Sequence, residues 1–183
     1  TQENVHEIAR KADPRARVVY VDNDPIAVAH SRLILRDIAD VAVIEADLRD
    51  PVSVIGHPDL VRLIDFTKPV GLLAINVLQF VSDPDDPVGV VSGFTNALVP
   101  GSYLAISHVT QEPAPVVTAL IQDLYKSTSA PIYARTKTEI LQLLKGFDLV
   151  EPGLVYVPLW RPDDKPPKNP ERAWLYAGVG RKR

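Results

Sequence analysis

The sequence predicts an α/β protein: a doubly wound, mostly parallel sheet with helices on both faces and a C-terminal antiparallel edge hairpin. Two patterns indicate this fold. Up to Leu144, short β-branched and apolar runs alternate with amphipathic helical patterns, and this alternation produces right-handed crossovers between parallel strands. From Phe147 onward the pattern becomes strand, turn and strand, which favours an antiparallel pair at one edge of the sheet.

Cap residues mark where several helices begin. Asn4–Glu7 and Thr136–Glu139 have the spacing of capping boxes, and Asp24–Pro25 combines a cap residue with proline at the first helical position. We expect helices over residues 4–12, 58–65 and 88–98, and others that begin at 25, 113 and 136. We expect strands over 18–21, 41–44, 70–75, 103–106 and 174–179, an extended segment over 149–160, and a turn over 47–51. The helix that begins at 25 carries an apolar stripe of Ile26, Ala29, His30, Leu33 and Ile34.

Composition excludes several classes of protein. The 183 residues are 46% hydrophobic and contain no cysteine, so a disulfide scaffold, a thiolate nucleophile and a Cys-ligated metal site are excluded. No apolar run reaches the ~18 residues of a membrane span, and no signal-peptide pattern is seen at the start. We therefore expect a cytoplasmic protein with a single domain over residues 1–183. The four histidines show no ligand spacing, so we predict no metal site.

Charge does not favour a nucleic-acid partner. Lys and Arg total 20 against 23 Asp and Glu, which gives a net charge of −3. Nucleic-acid binders usually carry a basic stripe. The one dense basic cluster here is 181–183, which we interpret as a solubilising end after the last strand. We expect a small-molecule partner, and neither nucleic acid nor membrane.

Acidic residues follow two of the predicted strands. Asp22 ends the strand over 18–21, and Asp47 follows the strand over 41–44. Ligands of parallel sheets bind beyond the carboxyl ends of the strands, and a carboxylate there can accept hydrogen bonds from both hydroxyls of a ribose. Asp47 could accept an adenine amino group while the Leu48 N–H meets a ring nitrogen. The alternatives are that Asp22 only caps the next helix and that Asp47 is an ordinary turn residue.

Polar residues also follow the next two strands. Asn76 and Gln79 come after the most apolar strand, where they would face the same crevice, and Asn76 could instead be a simple turn residue. His108 ends the following strand. A neutral imidazole there could act as a general base, although a lone histidine is more often structural or solvent-facing.

Taken together, these segments resemble a class I S-adenosylmethionine-dependent methyltransferase with a Rossmann-like fold. The specific similarity is to a bacterial family long catalogued as a domain of unknown function, and it runs essentially end to end. The segments that carry it are 1–7, 19–25, 47–51, 76–80, 98–104, 159–162 and 177–182.

The resemblance implies a cofactor, S-adenosylmethionine, and a set of residues that hold it. Asp22, with Asn23 beside it, would hold the ribose, Asp47 with Leu48 the adenine, and Asn76 would lie near the methionine part. The family has histidine more often than glutamine at the place of Gln79, so we assign no catalytic residue and keep His108 and Gln79 as candidates. In-line attack on a sulfonium methyl needs mainly proximity and orientation, and a base only if the accepting atom carries a proton.

The resemblance also implies a departure from the family pattern. The family carries a strand and a glycine-rich loop immediately before the segment that begins here at Thr1, and that strand lies at the centre of the sheet. We therefore expect that this sequence is most of a domain, N-terminally incomplete.

Two other functions stay open at this point. A short-chain NAD(P)-dependent oxidoreductase also uses acids after its second and third strands and needs a Tyr-x-x-x-Lys pair, a spacing that Tyr133 and Lys137 fit. A non-catalytic fold that binds the cofactor or a partner protein is the other alternative.

Overall fold

The structure, a computed structural model, describes residues 3–128 and 130–183. It divides into two compact units, one up to Thr67 and one from Lys68 to the end. Each unit has its own sheet.

The first unit is a two-stranded parallel sheet with four helices. Its elements are α1 (Val5–Ala12), β1 (Val18–Asp22), α2 (Pro25–Leu35), β2 (Val41–Glu45), α3 (Pro51–Ile55) and α4 (Pro58–Leu63). Asp22 lies opposite Glu45, so β1 and β2 end at the same edge. Val43 and Ile44 point to opposite faces of β2 and are both buried, at 6% and 0% exposure, so both faces of this strand are covered.

The start of α2 agrees with the sequence prediction, and the large apolar residues of its stripe are exposed. Asp24 caps the helix by accepting from the N–H groups of Ile26 at 2.8 Å and Ala27 at 3.4 Å. Val28 is the buried side chain of α2, whereas the large apolar residues of the predicted stripe are exposed: Ile26, Leu33 and Ile34. The helical period predicts the helix, but nothing in the described residues covers that face.

The second unit is a mixed sheet with three α-helices. Its elements are β3 (Gly71–Ile75), α5 (Pro87–Thr95), β4 (Tyr103–Val109), α6 (Pro115–Tyr125), α7 (Lys137–Leu143), β5 (Phe147–Leu149), β6 (Val155–Tyr156) and β7 (Leu175–Lys182). The strand order is β3-β4-β7-β5, and β6 also pairs with β7. β3 and β4 are parallel, whereas β7 is antiparallel to β4, β5 and β6. The predicted antiparallel hairpin therefore lies at the edge of the parallel strands.

One local prediction from the sequence is wrong, and another is confirmed. The extended segment expected over 149–160 is interrupted, because Gly153 adopts a left-handed φ of +84° and the chain turns before β6. After β6, residues Val157–Leu159 form a 3-10 turn. The turn expected over 47–51 is present, since the Asp50 N–H donates to Asp47 O at 3.0 Å. It leads directly into the short helix α3, which Asp50 caps by accepting from the Ser53 N–H at 3.1 Å.

The outer edges of β1 and β3 have no strand partner among residues 3–128 and 130–183. β1 pairs with β2, and β3 pairs with β4. The expectation of one domain with a further strand upstream stays a prediction.

Candidate functional site

Asp22 is held at the carboxyl end of β1 through one carboxylate oxygen and its backbone oxygen. Its Oδ1 accepts from the Asp24 N–H at 2.9 Å, and its backbone oxygen accepts from the Ala46 N–H at 3.0 Å. Among the described residues nothing donates to Oδ2. Asp22 and Asn23 are both exposed. The helix cap is therefore Asp24, as expected, and the Asp22 carboxylate keeps an oxygen for a hydroxyl donor.

Asp47 follows β2 and is bound by a neighbouring arginine. Its Oδ1 accepts from the Arg49 N–H at 2.9 Å, and its Oδ2 lies 2.5 Å from Arg49 Nη2. The hydrogen bond from the Arg49 side chain lowers the pKa of Asp47, so the carboxylate is charged at neutral pH. The Leu48 N–H, by contrast, donates to no acceptor in the described part of the chain.

Asp22 and Asp47 thus lie beyond the carboxyl ends of two neighbouring parallel strands. The register that pairs Asp22 with Glu45 brings both acids to one edge of this sheet. Within the described part of the chain, that edge offers a carboxylate oxygen of Asp22 and a backbone N–H of Leu48 that have no partner. Sequence reasoning predicted these positions but not Arg49, which occupies part of the acceptor capacity of Asp47.

Asn76 directly follows β3 in a left-handed conformation with φ +54°. Asparagine adopts this region more readily than most residues. Its N–H lies within hydrogen-bond distance of Ser107 Oγ, at 2.9 Å, and of Ser107 O, at 3.2 Å. The residue is exposed, and its Nδ2 donates to no acceptor in the residues that the structure describes.

Gln79 lies in a 3-10 turn, Leu78–Phe80, and is buried at 2% exposure. Its Nε2 donates to Asn76 O and to Asn76 Oδ1, both at 2.8 Å. Its Oε1 is buried without a donor among the described residues. Gln79 therefore contacts Asn76 with its amide and does not itself reach solvent.

His108 is fully buried on β4, and both of its ring nitrogens are hydrogen-bonded. Nδ1 lies 2.8 Å from Val109 O, and Nε2 lies 3.0 Å from Arg135 Nη1. Because a guanidinium can only donate, Nε2 is the acceptor and Nδ1 carries the proton. Burial, together with the Arg135 charge, lowers the pKa of His108 from 6.5 to about 4. These contacts favour the structural alternative for His108, since no nitrogen is free to take a substrate proton.

Arg135 is a buried cation that no sequence pattern marks. At 5% exposure, it donates to Leu78 O at 3.2 Å, to Val81 O at 2.8 Å and to Asp83 Oδ1 at 2.8 Å, besides its contact with His108. It therefore holds the loop that follows β3, the loop that contains Gln79.

Tyr133 and Lys137 do not form the pair that an oxidoreductase needs. Tyr133 lies in an irregular segment, and Lys137 is the first residue of α7, so no helical turn places them on one face. The Lys137 ammonium lies 5.5 Å from the centroid of the Tyr176 ring instead.

Other candidate sites are few within the described ranges. Over 3–128 and 130–183, no group of three or more His, Asp or Glu side chains could hold a metal ion. None of the helices there has both the length and the apolar character to cross a membrane. A cleft of about 210 Å³ opens at the start of β2, between Arg32 and Asp59, away from the strand ends that carry the acids.

Comparisons with known proteins identify the family. The family model for S-adenosyl methyltransferase matches residues 1–183. No curated protein matches the chain. Two solved structures are each 39% identical to it and cover 100% of it: a DUF574 family protein from Streptomyces avermitilis (TM-score 0.89, 71% of that chain) and a candidate methyltransferase from Thermobifida fusca (TM-score 0.92, 69% of that chain).

A more distant structure supports the fold alone. The N-methyltransferase NodS from Bradyrhizobium japonicum, in complex with S-adenosylhomocysteine, is 13% identical, with a TM-score of 0.56 over 94% of this chain and 70% of its own. The family model and the two structures at 39% identity carry the assignment. The chain belongs to the S-adenosyl methyltransferase family, and its cofactor is S-adenosylmethionine.

Proposed function

We propose that this enzyme transfers a methyl group from S-adenosylmethionine to a small-molecule acceptor. The family supports the reaction class and the cofactor. The acidic balance, with a net charge of −3 and no basic stripe, supports a small acceptor over a nucleic acid.

The observation that carries the cofactor assignment is the pair of strand ends at β1 and β2. The Asp22 carboxylate has an oxygen to which no described residue donates, which suits the hydroxyls of a ribose. The Leu48 N–H has no acceptor among the described residues and suits a ring nitrogen, while the neighbouring Asp47 carboxylate suits the adenine amino group. Asn23, which is exposed beside Asp22, belongs to the same proposed set. These groups therefore fit an adenosine moiety.

Asn76 belongs to the proposed cofactor set through its place after β3. Ligands bind at the carboxyl ends of parallel strands, and β3 pairs in parallel with β4. When bound, the cofactor supplies a methyl group on a positively charged sulfur, which is an excellent leaving group. The residues of this chain then have the task of binding and orienting, which alone can contribute several kcal/mol, up to roughly 7–11, to lowering a barrier.

We assign no general base. Gln79 cannot ionise, and His108 has both nitrogens occupied. An acceptor atom that is unprotonated at neutral pH would need no base.

The oxidoreductase alternative has no support from the arrangement of Tyr133 and Lys137. Isothermal titration calorimetry of the full-length protein discriminates between the methyltransferase and the oxidoreductase. We expect S-adenosylhomocysteine to bind and NAD and NADP to give no heat; the reverse pattern would refute the proposal.

The non-catalytic alternative needs a second measurement. The protein is incubated with radiolabelled S-adenosylmethionine and a panel of small hydroxyl, amine and thiol compounds. We expect at least one compound to accept label in proportion to enzyme concentration. Tight cofactor binding without transfer to any compound across a broad panel would support the non-catalytic function instead.

A further inference from the structure

Gln79 and Asn76 form a hydrogen-bonded pair whose direction can be read from one backbone atom. Gln79 Nε2 lies 2.8 Å from the backbone oxygen of Asn76. A carbonyl oxygen can only accept, so the Gln79 atom that faces it must be the amide nitrogen. The opposite orientation would place two acceptor oxygens against each other.

The orientation of Gln79 then decides the orientation of the Asn76 side chain. The same Nε2 lies 2.8 Å from the Asn76 side-chain amide, so the Asn76 atom that faces it must be Oδ1. With Oδ1 turned toward Gln79, the Nδ2 group is the part of Asn76 left for other partners. Nδ2 has no acceptor among the described residues, and Asn76 is exposed.

The surroundings restrain both residues of the pair. The Asn76 N–H is within hydrogen-bond distance of Ser107 Oγ at 2.9 Å, which restrains the Asn76 backbone, and Gln79 is 2% exposed, so packing restricts its side chain. Among the described residues, both hydrogen bonds of the Gln79 amide go to Asn76, and its own Oε1 accepts none. The side-chain hydrogen bonds of Gln79 thus orient Asn76.

A fixed N–H₂ donor at the end of β3 selects among the groups of the cofactor. S-adenosylmethionine carries a sulfonium and an ammonium, both positive, and one anionic group, its carboxylate. A donor cannot bind an ammonium, but it forms a charge-assisted hydrogen bond with a carboxylate. We infer that Asn76 donates through Nδ2 to the carboxylate of the bound cofactor, with Gln79 as the positioning residue that fixes this direction. The inference rests on the proposed function.

Asn76→Asp tests the donor with almost no change of shape. Gln79 can still donate to Oδ1, but the group offered to the ligand becomes a negatively charged oxygen. Two ligands are titrated calorimetrically: S-adenosylhomocysteine and its decarboxylated analogue, in which hydrogen replaces the carboxylate. We expect Asn76→Asp to weaken the binding of S-adenosylhomocysteine about tenfold or more and to leave the binding of the decarboxylated analogue no weaker.

Two further variants complete the design. Asn96→Asp adds the same charge at an exposed asparagine beyond α5, and we expect it to change neither affinity by more than about twofold. Gln79→Leu keeps the size of the side chain but removes the hydrogen bonds that orient the Asn76 amide. We expect a smaller loss of affinity, about threefold, and only for the ligand that carries the carboxylate. Circular dichroism verifies that each variant is folded.

The outcomes separate the inference from the proposed function. If the unaltered protein binds neither ligand, the proposed function fails. If it binds S-adenosylhomocysteine and Asn76→Asp leaves that affinity unchanged or raises it, the carboxylate assignment is overturned. Equally weakened binding of both ligands would overturn the carboxylate assignment as well, because the effect would not depend on the carboxylate.

Discussion

Arg135 Nη1 lies 3.0 Å from His108 Nε2, so a buried guanidinium donates to a buried neutral imidazole. The same guanidinium reaches the carbonyl oxygens of Leu78 and Val81 in the loop after β3. A permanently charged group at 5% exposure is tolerated only when its donors are satisfied. The pair therefore joins β4 to the loop that carries Gln79.

Replacement of Arg135 tests how much this hydrogen-bond network contributes to the free energy of unfolding. Arg135→Met keeps the stem but leaves two carbonyl oxygens and His108 Nε2 without their donor. We expect the free energy of unfolding to fall by about 3 kcal/mol, measured by urea denaturation. The control is Arg172→Met, an exposed arginine, for which we expect a change within about 0.5 kcal/mol. Equal effects of the two variants would show that the Arg135 contacts do not stabilise the fold.

The depressed pKa of His108 makes stability depend on pH. The unfolded chain binds a proton at this histidine near pH 6.5, whereas the folded protein does so only near pH 4. Between these values the unfolded state binds more protons, so the free energy of unfolding falls as the pH falls from 6.5 to about 4. Above pH 6.5 the contribution is fully present, and its loss is on the order of 3 kcal/mol.

Carboxylates also titrate in acid, so the contribution of His108 is measured as a difference between two proteins. Unfolding curves of the unaltered protein and of His108→Asn are compared between pH 7 and pH 4. We expect the variant to lose less stability over this interval than the unaltered protein. Identical slopes would mean that His108 takes up its proton equally in both states.

Asp47 is the acceptor proposed for the adenine amino group, and ligand chemistry can isolate that contact. The purine analogue of S-adenosylhomocysteine, in which hydrogen replaces the amino group, keeps every ring nitrogen as an acceptor and offers no donor at that position. We expect the unaltered protein to prefer the adenosine ligand by about tenfold, and Asp47→Ala to reduce the preference to less than about twofold. Asp50→Ala, which removes the α3 cap instead, should keep the preference. A preference that survives Asp47→Ala would contradict the assignment.

The features that the sequence predicts well are local. Asp24 caps α2 and Thr136 caps α7, because a cap and its partner N–H groups lie within three residues of each other. The acids at the ends of β1 and β2 could be placed for a similar reason. A strand run followed at once by Asp predicts a carboxylate at the strand end without knowledge of the tertiary structure.

The features that the sequence does not predict depend on contacts between distant residues or on the direction of a hydrogen bond. Arg135 and Leu78 are 57 positions apart, and no periodicity joins them. Gln79 and Asn76 are only three positions apart, yet which end of each amide faces the other follows from a backbone oxygen whose place is known only in the structure. The helical stripe of α2 predicts a helix but not that Ile26 and Leu33 are exposed.

The most direct test of the central claim is the affinity for S-adenosylhomocysteine of two isosteric variants two residues apart. Asp22→Asn keeps an oxygen for the Asp24 N–H but replaces the free carboxylate oxygen with a donor, whereas Asp24→Asn keeps a competent helix cap. We expect calorimetry to show at least a tenfold loss for Asp22→Asn, about 1.4 kcal/mol, and a change within about twofold for Asp24→Asn. An unchanged affinity in Asp22→Asn would contradict the adenosine site at the end of β1.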